Sequence, residues 1–266
     1  MKCIVIGTGV GMAHVCALVR TGNDVIGIID VDQTRLENAK KRWKNEWLDV
    51  FEEVEVNPDC LYSDDISTLS HLNPDLVICA TPPSTQIKLY QNIRSIFPDC
   101  KILLEKPLKV PVDDLDENTF ISCEWIYNSQ VVDYLEKNDI SSVRMCYPVG
   151  PELWKEGFDS YSDMTPHLLS ILLYKNVKLS RVKELTNDRD FYEGLIESPG
   201  RVLIDIKVGR PPNLPIGTYI NGKKFDWQFE TFDNMYLSGN LLPAIKFGKY
   251  VKEYEGLASS WKTRIS

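Results

Sequence analysis

Histidine is scarce in this chain, with three in 266 residues: His14, His71 and His167. The seven cysteines, at positions 3, 16, 60, 79, 100, 123 and 146, contain no C-x-x-C pair. This excludes a zinc site of ligand-pair spacing, and the odd, scattered count excludes a disulfide framework. No metal is expected, and most cysteines sit in apolar, strand-like settings that suit reduced, buried thiols without a role. Nor is there an apolar run long enough to span a bilayer, or a basic region followed by a signal-like core at the start. The expectation is a cytoplasmic protein with no membrane partner. Positive charge is also short, 30 Lys and Arg against 38 Asp and Glu for a net charge of −8, which argues against a nucleic-acid surface. No internal repeat or low-complexity segment is present.

What remains is ordinary globular material, 43% hydrophobic and 26% charged, of a length for one large or two small domains. The most informative stretch opens the chain. Met1-Lys2-Cys3-Ile4-Val5-Ile6 is a short apolar run rich in β-branched residues and reads as a buried strand. Gly7-Thr8-Gly9-Val10-Gly11-Met12 follows, and the chain then continues at helical spacing through Val19. Strand, glycine turn and helix together begin a dinucleotide-binding unit. Gly7 permits the tight turn, Gly9 lets backbone approach a pyrophosphate, and the helix start supplies N–H groups and a positive dipole end. The spacing is irregular: Met12 stands where a third small residue is usual, and Gly11 comes one position early. Asp24 to Asp30 reads as the second strand, placing Asp30 about twenty residues beyond the glycines. An acid there accepts hydrogen bonds from the adenosine ribose hydroxyls and repels a 2′-phosphate, favouring NAD(H) over NADP(H). Arg35 could stack on adenine or offset that repulsion. The alternative for Asp30 is a turn residue capping the next helix.

Further along, 31–47 has helical periodicity with Trp43 and Trp47 on one face, and 59–62 is a short strand. His71 ends a short helix at 66–72. Asp75 to Ala80 is a fully apolar strand ending in Thr81-Pro82-Pro83-Ser84-Thr85-Gln86, with Ser84 placed to cap a helix through about Phe97. Residues 100–104 form a further strand, ending in Glu105-Lys106-Pro107-Leu108. Strands alternating with helices mean a parallel sheet covered on both faces, and ligands bind at the carboxyl ends of such strands. The glycine turn, Asp30, Thr81 to Gln86 and Glu105-Lys106-Pro107 all fall there.

After about residue 120 the pattern changes. A strand at 119–125, a helix at 127–138, a strand at 142–149 and an apolar helix at 160–174 lead to alternating segments at 201–209, 217–221 and 224–232. Pro211-Pro212 and Asn221-Gly222 separate the last three, the latter a hairpin signal. The fold class is therefore an α/β Rossmann dinucleotide-binding domain, 1–120, plus a smaller α+β domain with a mainly antiparallel open sheet, 121–266.

Two features carry a resemblance. Ala80-Thr81-Pro82-Pro83 precedes Glu105-Lys106-Pro107-Leu108 by some twenty residues, and Asp163-Met164-Thr165-Pro166-His167-Leu168-Leu169 opens a helix in the second domain. With the glycine turn, these resemble the glucose–fructose oxidoreductase / inositol dehydrogenase (Gfo/Idh/MocA) family. The resemblance implies NAD(P)-dependent hydride transfer on a hydroxyl or carbonyl carbon of a small sugar, sugar derivative or polyol. In the family the equivalent of His167 is usually the acid/base on the substrate oxygen, that of Asp163 orients it or binds a hydroxyl, and that of Lys106 polarises the oxygen or fixes substrate and nicotinamide ribose. Asp163 and His167, four apart, share one face of a helix. Pro107, as a cis peptide, would aim Lys106. Thr81, Pro82 and Pro83 would line the nicotinamide side with Glu105 toward the cofactor.

The chain departs from the family in places. Gln86, included among the cofactor contacts, stands where relatives often have His. Glu124 and Trp125 stand where many carry substrate-reaching Asn and Arg, which suggests a different pocket, and Ser170 replaces a common Asp. Trp154, Asp159 and Tyr161 are candidate substrate contacts, and His14 is read as structural. The resemblance further implies a homodimer or homotetramer formed through the open sheets. Two other readings stand beside this one: reduction of a C=N or conjugated tetrapyrrole bond, as in imine and biliverdin reductases, and an NAD(H)-binding sensor without turnover.

Overall fold

A computed structural model describes residues 1–41, 44–45, 50–51, 56–146, 160–187, 191–199, 204–209, 216–226 and 230–262. The chain divides into two compact units, one of residues 1–122 and 232–245, the other of 123–231 and 246–266.

In the first unit, β1 (Lys2–Ile6) buries every residue after Lys2, as its β-branched run requires. It is followed by α1 (Gly11–Arg20), β2 (Asp24–Ile29) and α2 (Gln33–Lys41). A two-residue pair, β3 (Lys44–Asn45) and β4 (Val50–Phe51), precedes β5 (Leu61–Ser63). Then come β6 (Leu76–Cys79), α3 (Gln86–Ile96), β7 (Lys101–Glu105) and β8 (Thr119–Ser122). Strands β8, β7, β6, β1, β2 and β5 lie side by side in that order, all parallel. From β1 the chain builds outward through β2 to β5, then returns to the other side of β1 and builds through β6 to β8. That reversal between β1 and β6 is the position where ligands bind on open parallel sheets.

The second unit holds α4 (Ser129–Lys137), β9 (Ser142–Cys146), α5 (Ser160–Tyr174), and β10 (Arg181–Asn187) to β14: β11 (Phe191–Glu197), β12 (Ile204–Gly209), β13 (Gly217–Ile220) and β14 (Lys223–Phe225). Its six-stranded sheet runs β10-β11-β12-β9-β13-β14 and is antiparallel except where β12 meets β9. Asn221 and Gly222, with φ of +52° and +80°, form the two-residue hairpin turn that their pairing predicts. The chain ends with α6 (Glu230–Leu237), β15 (Leu242–Pro243) and α7 (Ala244–Lys262).

Several boundaries differ from the sequence reading. The strand expected at 119–125 stops at Ser122, because Glu124–Tyr127 turn into a buried 3-10 helix. The strand expected at 224–232 stops at Phe225, and Glu230 already belongs to α6. Ser84 does not cap α3: Pro83–Thr85 form a 3-10 turn, and Thr85 holds the cap position without a side-chain bond. Residues 232–245, read as part of the second domain, cluster with the first unit, where β15 covers the open edge of β8. Trp43, Trp47 and Pro211-Pro212 lie outside the described residues. Among the described residues no helix is long and apolar enough to cross a membrane. All seven cysteines are buried and outside any disulfide, and burial pushes the Cys3 and Cys60 thiols up to about 12.

Candidate active site

The four strand ends singled out from the sequence belong to four consecutive neighbours in the sheet, β7, β6, β1 and β2. At the end of β1, Gly7 has a φ of +94°, and a Cβ there would fall 2.2 Å from the Ala80 carbonyl oxygen at the end of β6. Only glycine fits both the backbone angle and that approach. A Cβ on Gly11 would meet Val5 at 3.0 Å and Ala80 at 3.1 Å, so Gly11 lets α1 pack close against the sheet. Gly9 is different. It is exposed, and a Cβ there would meet nothing within 4 Å. Val10, itself 45% exposed, holds the N-cap of α1, so no side chain satisfies the helix start. The one-residue shift of Gly11 therefore keeps a turn that is tight at Gly7 and open at Gly9, with buried Met12 serving the core.

Asp30 lies at the end of β2, 8% exposed, and braces this turn. Its Oδ2 accepts the Thr8 backbone N–H at 2.7 Å and the Thr8 hydroxyl at 2.5 Å, while Oδ1 accepts from the Asp32 N–H at 2.9 Å. The helix cap that is the alternative reading of Asp30 is made by Asp32, whose Oδ1 accepts from the Thr34 and Arg35 N–H groups. A carboxylate offers about four lone-pair sites, so Asp30 keeps acceptor capacity beyond the turn. Arg35 is exposed, with Nε 3.7 Å from Asp32. Val31, next to Asp30, is an apolar side chain 85% exposed.

At β6 and β7 the chain departs from the expected orientations. Thr81 is half-buried, Pro82 exposed and Pro83 buried, and the Thr85 hydroxyl ties the segment by donating to Thr81 Oγ1 and the Pro82 carbonyl. Gln86, read as a cofactor contact, is 2% exposed and clamps the segment around Lys106. Its Nε2 donates to the Glu105 carbonyl at 2.7 Å, and its Oε1 accepts from the Lys109 N–H at 2.6 Å. Glu105, read as facing the cofactor, is turned to His14 on α1, with Oε1 2.7 Å from Nε2. His14 Nδ1 pairs with the Tyr236 hydroxyl at 2.6 Å, and Phe232 packs edge-on against its ring. Burial would push the Glu105 carboxyl up; the hydrogen bond and charge of His14, with Lys106 beside it, outweigh this and hold it below the usual range. Lys106 is half-buried, and its bond to Pro107 is cis.

In the second unit, His167 lies on α5, 6% exposed, and the Ser170 hydroxyl donates to its carbonyl at 2.7 Å. Its Nδ1 is 3.2 Å from Oε2 of Glu124, also 6% exposed, an ion-pair contact off the line of the ring N–H. Asp163 is on the same helix, one turn earlier.

Residues 1–121 match the model of an oxidoreductase family with an NAD-binding Rossmann fold, Gfo/Idh/MocA. Through these residues the chain is similar to the Gfo/Idh/MocA oxidoreductases. No curated protein sequence matches the chain. Solved structures extend the likeness of fold to the second unit. The WlbA dehydrogenase of Thermus thermophilus, in complex with NAD and UDP-GlcNAcA, aligns with a TM-score of 0.72 at 11% identity over 95% of this chain and 92% of its own. A UDP-N-acetylglucosamine 3-dehydrogenase of Acidithiobacillus ferrooxidans gives 0.69 at 14% identity, over 98% of each chain. Scyllo-inositol dehydrogenase of Lactobacillus casei, with NAD(H) and scyllo-inositol, gives 0.64 at 14% identity, over 99% of this chain and 97% of its own.

In the first unit the structure brings together the glycine turn, Thr8 and Asp30, and groups Gln86, Glu105 and Lys106 around the end of β7. It adds His14, which the sequence reading treated as structural, and Tyr236; within the second unit it sets Glu124, read from sequence as a mark of a different pocket, beside His167. The side chains of Tyr161 and Asp163, and all of Trp154 and Asp159, lie outside the described residues.

Proposed function

We propose that the protein is an NAD-dependent oxidoreductase that transfers hydride between nicotinamide and a hydroxyl-bearing or carbonyl carbon of a small sugar, sugar derivative or polyol. The carrying observation is that β7, β6, β1 and β2 are adjacent and end in Lys106, Thr81 to Gln86, the glycine turn and Asp30. The residues fit the cofactor: the open backbone at Gly9 and the uncapped start of α1 suit a pyrophosphate, and Asp30 suits the adenosine ribose. Val31, apolar and exposed beside Asp30, offers nothing to a 2′-phosphate, which supports NAD over NADP. When bound, the nicotinamide accepts or returns the hydride.

The chain supplies the rest. In the oxidation direction the substrate O–H proton passes to His167, and the hydride leaves the same carbon as the carbonyl forms. Lys106 places positive charge at the substrate oxygen, where negative charge develops. Thr81, Pro82 and Pro83 border the nicotinamide. The second unit binds substrate, with Trp154, Asp159 and Tyr161 as candidate contacts, and its open sheet joins copies of the chain into a homodimer or homotetramer. The protein works in the cytoplasm.

The test is absorbance at 340 nm with NAD and NADH against a panel of polyols, sugars, UDP-sugars, keto-sugars and imines, run for the wild type, Lys106→Ala and His167→Ala. Turnover on a polyol or sugar that falls at least 100-fold in both variants supports the reading. Turnover confined to imines, or activity indifferent to His167, overturns it.

A further inference from the structure

We propose that Glu124 is the carboxylate that orients His167 and balances its charge, a role the family resemblance gives to the equivalent of Asp163. The inference rests on the reading of His167 as the acid/base. Glu124 opens the 3-10 turn that follows β8, and His167 lies 43 positions further on α5, so their approach is made by tertiary packing. The pairing of these elements is reinforced one residue along each, where the Cys123 thiol lies 3.9 Å from the Pro166 carbonyl oxygen. Glu124 Oε2 and His167 Nδ1 are 3.2 Å apart, with both side chains less than a tenth exposed. A carboxylate buried to this degree is strongly disfavoured without a donor or positive charge beside it.

The chemistry follows from which ring nitrogen is engaged. A carboxylate at Nδ1 holds the proton there and leaves Nε2 as the unprotonated, basic nitrogen. The substrate O–H bond then breaks with its proton going to Nε2, while the C–H electron pair and hydrogen leave together to NAD. The ring now carries both protons and a positive charge, which the Glu124 carboxylate stabilises until Nε2 releases its proton to water. Carbonyl reduction by NADH runs the same steps in reverse. The off-line geometry of the 3.2 Å contact suits such a group, since hydrogen bonds of acid/base pairs commonly align fully only with substrate in place. Glu124 acts through His167 and is thus a positioning residue.

Two readouts test this. With three histidines in the chain, long-range proton–nitrogen spectra of imidazole-labelled protein resolve each ring, and His167→Gln assigns one of them. The wild type is expected to show His167 protonated at Nδ1 and unprotonated at Nε2; Glu124→Ala is expected to lose that preference. On a substrate found in the panel above, Glu124→Ala and the isosteric Glu124→Gln are expected to lower kcat on the order of 100-fold with KM and NADH affinity changed less than about threefold. Glu124→Asp should recover part of the loss. An unchanged tautomer in Glu124→Ala and Glu124→Gln overturns the proposal, as does a normal kcat in both. A wild type with the Nδ1–H tautomer and no turnover on any substrate overturns the enzyme reading while leaving the Glu124–His167 pairing in place.

Discussion

His14 and Glu105 share a hydrogen bond of 2.7 Å with His14 at 0% and Glu105 at 7% exposure. The bond ties the first helix after the glycine turn to the strand end that carries Lys106, and through Tyr236 it also anchors the returning segment 232–245. Three stretches distant in sequence therefore meet on one imidazole. The two halves of the candidate cofactor site are held by a buried polar link.

Removing His14 leaves a buried carboxylate without its main partner. His14→Ala is expected to destabilise the protein by about 3–5 kcal/mol at pH 7, measured by urea unfolding. The pH dependence has a definite sign. The Glu105 carboxyl is held below its ordinary value of 4.5, so its contribution is present above that pH and is lost as pH falls through the lower, folded value. In His14→Ala burial raises the Glu105 carboxyl instead, so the gap between wild type and variant should narrow as pH falls from 7 and go on narrowing below 4.5. A gap that widens on acidification contradicts the assignment.

The glycines of the turn separate folding from binding. Gly7→Ala places a Cβ 2.2 Å from the Ala80 oxygen at a φ of +94°, and about 2–4 kcal/mol of stability should go with it. Gly9→Ala meets no protein atom within 4 Å, so its stability should stay within about 0.5 kcal/mol of the wild type. On the proposed reading its methyl would stand in the path of the pyrophosphate, and the NADH Kd, read by fluorescence titration, should rise at least about tenfold. Unaltered NADH binding in a well-folded Gly9→Ala removes this turn from the cofactor site.

What the sequence made legible was local. The β-branched run before Gly7, the acid ending the second strand and the apolar strand before Thr81 each announce themselves within a few residues, and their sheet neighbours follow from alternation of strand and helix. Contacts between distant positions were not legible. Glu105 meets His14 across 91 residues, and nothing near either one announces the other. Asp163 was paired with His167 because helical spacing is visible in sequence, whereas Glu124 reaches it through packing of a 3-10 turn on α5. The hairpin of β10 and β11 was passed over because Lys183, Glu184 and Glu193 interrupt its apolar alternation. Gln86 was assigned to the cofactor by its place after the prolines; its burial and its bonds on both sides of Lys106 give it a different task.

That task is testable. Gln86→Ala strands the Glu105 carbonyl and the Lys109 N–H in a buried setting, and each costs about 1–3 kcal/mol when unsatisfied. A loss of about 2–4 kcal/mol is expected by urea unfolding, with an unchanged m-value. Because the clamp holds the segment of Lys106, kcat should fall more than NADH affinity. The reverse pattern, weakened NADH binding at full stability, would return Gln86 to the cofactor.

Cofactor choice turns on Asp30 and its neighbour. Asp30 is held by Thr8 and Asp32, so replacing it would disturb the turn as well as the ribose site. Val31 is free of this ambiguity, being 85% exposed and next in sequence. Val31→Arg should leave the melting temperature unchanged and improve NADPH binding relative to NADH by about tenfold, since guanidinium pairs well with phosphate. In the wild type, NADH should bind at least about tenfold more tightly than NADPH, because the Asp30 carboxylate repels a 2′-phosphate. Equal affinities in the wild type, together with no response to the arginine, would mean that the end of β2 does not face the adenosine ribose.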